Sequence, residues 1–133
     1  MTSLFSHIIN GDIPCHKLLQ TDLFIAFLDI NPIRPGHTLL VPITEIEVDE
    51  FFNLPDAHLE KALPLAKKLS QAIKSVVPCN RIGLMVAGLE IPHAHLHLVP
   101  IRTSSDLNFS QAHPESDTVL AHLAKKIRAA LSD

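Results

Sequence analysis

The residues best suited to chemistry in this chain are three histidines separated by single small or apolar residues, His93-Ala94-His95-Leu96-His97. Residues two apart share one face of an extended strand. His93, His95 and His97 therefore line one face, while Ala94, Leu96 and Leu98 anchor the strand from behind in an apolar interior. A neutral imidazole is at once a nucleophile, an acid or base near neutral pH, and a metal ligand. Two enzymatic readings follow. In the first the histidines hold a catalytic zinc. Same-face neighbours on a strand lie about 7 Å apart at Cα, so two converge on an ion and a third ligand comes from elsewhere. His37 can supply that ligand, with Glu90 as general base. In the second, His95 attacks phosphorus while its neighbours bind phosphate oxygens and assist the leaving group. A third, non-enzymatic reading has the triad bind phosphate without turnover.

Several elements must position these groups. Leu4, Phe5, Ile8 and Ile9 share one face of a short helix that Asn10-Gly11 ends with a left-handed cap. Residues Cys15 to Leu19 and Leu23 to Leu28 read as a hairpin turned at Thr21-Asp22. The second strand ends in Asp29-Ile30-Asn31-Pro32, because proline leaves the ladder, and Asp29 sits at that strand end. Pro35-Gly36 turns into a third strand, His37 to Pro42, with His37 at its start. Residues 44–52 fit a helical turn or a loop equally. From Pro55-Asp56, the residues Leu59, Leu63, Ala66, Leu69, Ile73 and Val76 recur at helical spacing, with a kink or restart expected near Pro64 and an end at Pro78. The run Ile82 to Ala87 is a strand antiparallel to the histidine strand across a short connection, Gly88 to Pro92. A last helix begins near Asp117 with Leu120, Leu123, Ile127 and Leu131 on one face. These elements make an α+β domain with an antiparallel sheet, one long helix and a C-terminal helix.

Length and composition set the outer bounds. A chain of 133 residues fits one domain, here 1–133, and buries a core without staples. The 47% hydrophobic and 19% charged fractions are those of a globular protein, and no apolar run is long enough to span a bilayer. The opening residues lack the basic region and apolar stretch of an export signal, so the expected location is cytoplasmic. Cys15 and Cys79 stand far apart outside any CxxC spacing, against both a disulfide framework and a thiolate zinc site. A net charge of −3 with dispersed lysines gives no footprint for extended nucleic acid, though amides and histidines still suit a small anion.

The segment His93-Ala94-His95-Leu96-His97-Leu98-Val99 resembles the His-φ-His-φ-His-φ-φ motif of the histidine-triad (HIT) nucleotide hydrolases and transferases. The likeness extends upstream through Ser3 to Pro14, Phe27 to Pro32 and Gly36 to Pro42, which are similar to segments of the Hint-like branch. It covers residues 3 to about 102, leaving 103–133 as a C-terminal loop and helix. The resemblance implies a HIT-like fold and attack by His95 on an α-phosphorus to give a nucleotidyl-histidine. It implies that His97 contacts phosphate and assists the leaving group, and that His93 and His37 orient the nucleophile. Asp29 would take the ribose hydroxyls, since a carboxylate accepts both hydrogen bonds of a cis-diol. Phe5, Ile8, Phe27 and Leu39 match positions that wall the base pocket, and Glu90 belongs to the nucleotide-binding loop before the triad. The resemblance also implies a homodimer formed through residues 82–87 and the long helix. No cofactor is implied.

The chain departs from the family pattern in two places. Ala87 and Leu89 stand where members often carry amide side chains, which leaves phosphate contacts on that loop to the backbone. Ser3 and Ser6 stand where some members carry a zinc-binding Cys-x-x-Cys, so no structural metal is expected. Residues after Arg102 follow no pattern with a readable role.

Overall fold

The computed structural model describes residues 3–132. Its elements are α1 (Leu4–Ile9), β1 (Lys17–Gln20), β2 (Phe24–Leu28), β3 (Thr38–Pro42), α2 (Asp56–Val76), β4 (Arg81–Met85), β5 (Leu96–Ile101) and α3 (Asp117–Leu131), with short 3-10 turns at Phe51–Asn53, Ser104–Asp106 and Phe109–Gln111. The strands form one five-stranded sheet in the order β1-β2-β3-β5-β4. Every neighbouring pair is antiparallel. The α+β class and the antiparallel sheet expected from the sequence are those found.

The sheet is covered on both sides, and alternation decides which residue serves which side. Phe24, Ala26, Leu28, Leu40, Ala94, Leu96 and Leu98 join Leu69 and Ile73 of α2 and Leu120 and Ile127 of α3 in the larger core. Ile25, Phe27, Leu39 and Val41 point the other way and pack with Phe5 of α1 in a smaller one. The central strands β2 and β3 are therefore buried at every position and read as continuous apolar runs. The histidines belong to the α1 side.

Two local expectations are corrected. The ladder of β5 starts at Leu96, so only His97 is a strand residue, paired with Leu39 on one side and Met85 on the other. His93 and His95 precede it in a connection over residues 86–95 that is longer than the Gly88-to-Pro92 turn expected. The Ala94 amide donates to the Val48 carbonyl at 2.7 Å, so the loop over residues 43–50 takes the place of a strand partner there. Alternation of the side chains survives, with Ala94, Leu96 and Leu98 at 1% exposure behind the imidazoles. The second correction concerns α2, which continues through Pro64 as one helix and does not restart there. Pro64 faces solvent, where water can meet the carbonyl its ring leaves without a donor. The buried stripe is His58, Ala62, Ala66, Leu69, Ala72 and Ile73. Leu63, assigned to the core by spacing, is 66% exposed.

Gly36 sets the entry to β3 and the position of His37. Its φ is +94°, and a Cβ there would meet Val77 Cγ2 at 3.0 Å, Pro100 Cγ at 3.1 Å and Ile73 Cγ2 at 3.2 Å. Gly88 also has positive φ, +74°, but stands in open space. Gly36→Ala should therefore cost about 2 to 4 kcal/mol in urea unfolding, strain plus a crowded core, and Gly88→Ala only about 1 kcal/mol. Equal losses at the two positions would show that the packing around Gly36 yields freely.

Candidate active site

The hydrogen bonds around the histidines determine which ring nitrogens carry protons. His95 Nδ1 lies 2.6 Å from the backbone carbonyl of His93. A carbonyl only accepts, so Nδ1 carries the hydrogen and the neutral ring has a bare lone pair on Nε2. A second chain of bonds fixes His97. The Ile33 amide donates to His37 Nδ1 at 3.0 Å, which leaves His37 with its hydrogen on Nε2. That nitrogen lies 2.9 Å from His97 Nδ1 and donates to it. His97 in turn carries its hydrogen on Nε2. The two central imidazoles thus differ: His95 offers an electron pair and His97 an N–H. Their ring centroids are 4.9 Å apart.

Burial, reinforced by the neighbouring His95, holds His37 at about 4. Burial, with His37 and His95 adding to it, holds His97 at about 3. Burial also lowers His95, opposed by its bond to the His93 carbonyl. All three are neutral at physiological pH, as the bonding pattern requires.

His95 and His97 line a cavity of about 370 Å³ whose other walls include Phe5, Ile8, Phe27, Asp29, Leu39 and Glu90. The residues assigned to nucleotide binding from sequence are thus brought together. Phe5 meets the edge of His95 at 5.0 Å and of Phe27 at 5.7 Å. Asp29 spends one oxygen on the turn, accepting from the Asn31 amide at 2.9 Å. The other lies 3.6 Å from His37 Nε2. Burial pushes this carboxyl up from its usual range, against the Asn31 amide. Ala87 and Leu89 also reach the cavity, without polar side chains.

Of the two residues expected to orient the nucleophile, His93 meets His95 through its backbone carbonyl, whereas His37 is bonded to a different ring. His37 bonds His97. His93 touches His95 through its carbonyl, and its side chain turns away toward Ser3 Oγ at 2.8 Å and the Pro42 carbonyl at 3.2 Å. Among the described residues one group of three side chains is spaced to hold a metal ion, Asp29, His37 and His97, with donor atoms within 4.8 Å. His95, which any pair of same-face neighbours in the zinc reading includes, is outside it.

One contributor went unread in the sequence. Phe109 packs on His97 with centroids 5.0 Å apart and closes part of the cavity wall. Its segment is strapped to the loop after β2, the His113 amide donating to the Pro32 carbonyl and the Glu115 amide to that of Ile30. Asp106 secures the near end by accepting from the amides of Arg102 and Thr103. A single phenylalanine in a polar stretch carries no period that would announce this.

The profile of the HIT domain matches residues 10–104. The chain belongs to the HIT family. It is 38% identical over 104 residues to the adenosine 5′-monophosphoramidase hnt1 of Schizosaccharomyces pombe, covering 75% of this chain and 74% of that protein. It is 37% identical over 103 residues to the adenosine 5′-monophosphoramidase HNT1 of Saccharomyces cerevisiae, covering 74% of this chain and 62% of that protein. The crystal structure of a Hit-like protein of Bartonella henselae superposes with a TM-score of 0.83 at 27% identity, over 97% of this chain and 96% of that one. No helix among the described residues is long and apolar enough to cross a membrane.

The neutral histidines of this HIT domain have a consequence for stability. An unfolded chain protonates His37 and His97 as pH falls through about 6.5, the ordinary histidine value, whereas the folded chain resists until about 4 and about 3 respectively. The unfolded state therefore binds more protons in that window, and folding stability must fall as pH falls through it. Each group contributes a slope of at most about 1.4 kcal/mol per pH unit. Urea unfolding between pH 7 and pH 5 should show the decline in the wild type and a shallower one in His37→Gln.

Proposed function

We propose that the chain cleaves conjugates of nucleoside 5′-monophosphates at the α-phosphorus by double displacement, with His95 as nucleophile. The observation that carries this reading is the bare Nε2 of His95, set beside the N–H of His97 in a cavity sized for a small ligand. In the first step the bond from Nε2 to phosphorus forms as the bond to the leaving atom breaks. The leaving atom keeps that electron pair and takes a proton from water. His97 stays neutral and donates a hydrogen bond to the negative charge that develops. Water then attacks phosphorus and loses a proton to solvent, and the phosphorus–nitrogen electron pair returns to His95. Acceptors other than water would make the same intermediate serve transfer.

The two fungal relatives named as monophosphoramidases make nucleoside phosphoramidates the first substrates to test. The apolar walls take the base, and the free oxygen of Asp29 takes the ribose hydroxyls. Asp29→Ala should weaken ribonucleotide binding by about 1.5 to 3 kcal/mol and leave 2′,3′-dideoxynucleotide binding almost unchanged by calorimetry. We assign the chain one functional unit over 1–133, because α3 contributes Leu120, Ala124 and Ile127 to the common core. A cytoplasmic location suits its two free cysteines. A homodimer through β4 suits an edge strand with Leu84 at 44% exposure, and sedimentation at micromolar concentration measures it.

A second reading, a metal-dependent hydrolase, is favoured by the grouping of Asp29, His37 and His97. One experiment separates it from the first. A phosphoramidate labelled at the α-phosphorus is mixed with enzyme, quenched in acid and mapped by peptide, with and without exhaustive chelation. Label on His95, undiminished turnover after chelation and inactive His95→Ala that still binds nucleotide are the expected results. Activity lost to chelator and restored by stoichiometric zinc would establish the metal reading, and full activity in His95→Ala would end the first one.

A further inference from the structure

We propose that Ser3 and Glu47 are positioning residues that act through His93 on the peptide unit between His93 and Ala94, and thereby select the tautomer of His95. The inference rests on the nucleophilic role of His95 and adds two residues that lie outside the cavity wall.

The peptide unit between His93 and Ala94 is held at both ends. Its carbonyl accepts from His95 Nδ1 at 2.6 Å, and its N–H donates to the Val48 carbonyl at 2.7 Å. Because the unit is planar, whatever fixes its direction also fixes the acceptor that His95 sees. The side chain leading into it is clamped as well. His93 Nε2 donates to the Pro42 carbonyl at 3.2 Å. His93 Nδ1 faces Ser3 Oγ at 2.8 Å and Glu47 Oε1 at 3.3 Å. The clamp is itself braced, since both Glu47 oxygens accept from the Ser3 amide at 3.0 and 3.2 Å. Ser3 Oγ also accepts from the Ser6 amide, so the residue that meets His93 caps α1. That helix carries Phe5, whose ring lies 5.8 Å from His93 and 5.0 Å from His95.

Three distant stretches of chain therefore converge on one imidazole, with sequence separations of 90 from Ser3 to His93 and 44 from Ser3 to Glu47. Ser3 is 6% exposed and His93 2%, so water does not replace a bond lost there. With the clamp removed the peptide can rock, and His95 loses the acceptor that favours the hydrogen on Nδ1. The alternative tautomer, with hydrogen on Nε2, has no lone pair to offer phosphorus. Neither Ser3 nor Glu47 lines the cavity, so nucleotide binding should be spared.

The test is the tautomer itself, read from ¹⁵N shifts in protein labelled at histidine, without substrate. Ser3→Gly removes the hydroxyl while costing the helix cap only a few tenths of a kcal/mol. Glu47→Ala removes the brace, and Ser3→Thr keeps a hydroxyl in place. The wild type and Ser3→Thr should show His95 with hydrogen on Nδ1 alone. Ser3→Gly and Glu47→Ala should show a mixture, with kcat on a nucleoside phosphoramidate lowered about tenfold, the effect of one buried hydrogen bond, and KM within about twofold. An unchanged tautomer in both disruptive variants would overturn the proposal, whatever happens to rate, and so would a mixture that leaves kcat at the wild-type level. If the tautomer shifts as expected but no nucleotide conjugate is turned over by any form, the positioning role stands and the proposed reaction fails.

Discussion

The hydrogen bond from His95 Nδ1 to the carbonyl two residues earlier is the contact on which this site depends. An imidazole has one lone pair to offer, and the nitrogen that offers it is chosen by what holds the other. A carbonyl at 2.6 Å leaves no choice. The same reasoning applied to the Ile33 amide, two bonds away, gives His97 the opposite polarity. Two side chains of one kind thus acquire distinct roles from what holds their Nδ1 atoms, a backbone carbonyl for one and the His37 ring for the other, and burial keeps both uncharged so that the assignment survives at neutral pH.

The two-sided sheet makes this possible. Residues Leu40, Leu96 and Leu98 tie the central strands to α2 and α3, while Leu39 and Val41 look toward α1. The larger core stabilises the framework, and the smaller one shapes a cavity against it. A site built on strands fixed from behind loses little precision when its open side is left empty. The strap that carries Phe109 adds a wall from a third direction and ties it to the loop that holds Asp29.

The parts of this arrangement legible in the sequence are those written in local periods. Alternation around His95 assigned Ala94, Leu96 and Leu98 to the interior even though the ladder begins only at Leu96. Helical spacing found α2 and α3 but misplaced Leu63, because small residues such as Ala62 also mark a buried face where helices pack closely. The grouping of Asp29, Phe5, Phe27 and Leu39 came from family likeness, since nothing local announces a shared cavity. Ser3, Glu47 and Phe109 were illegible because their partners lie far along the chain, and a single polar or aromatic residue has no period. The direction of His37, toward His97 and away from His95, depended on a backbone amide at Ile33 that no side-chain pattern encodes.

The bond between Ser3 and His93 spans 90 residues, and this has a consequence for the order in which the protein becomes competent. During synthesis α1 leaves the ribosome long before the triad loop and waits without its partner. A nascent chain that ends before His95 lacks both imidazoles, His95 and His97, on which the proposed reaction rests. Contacts of such long separation also close late in folding, after the loop entropy of the intervening chain has been overcome. The bracing of His93 by Ser3 therefore belongs to the late stages of folding, when the opening residues meet the loop before β5.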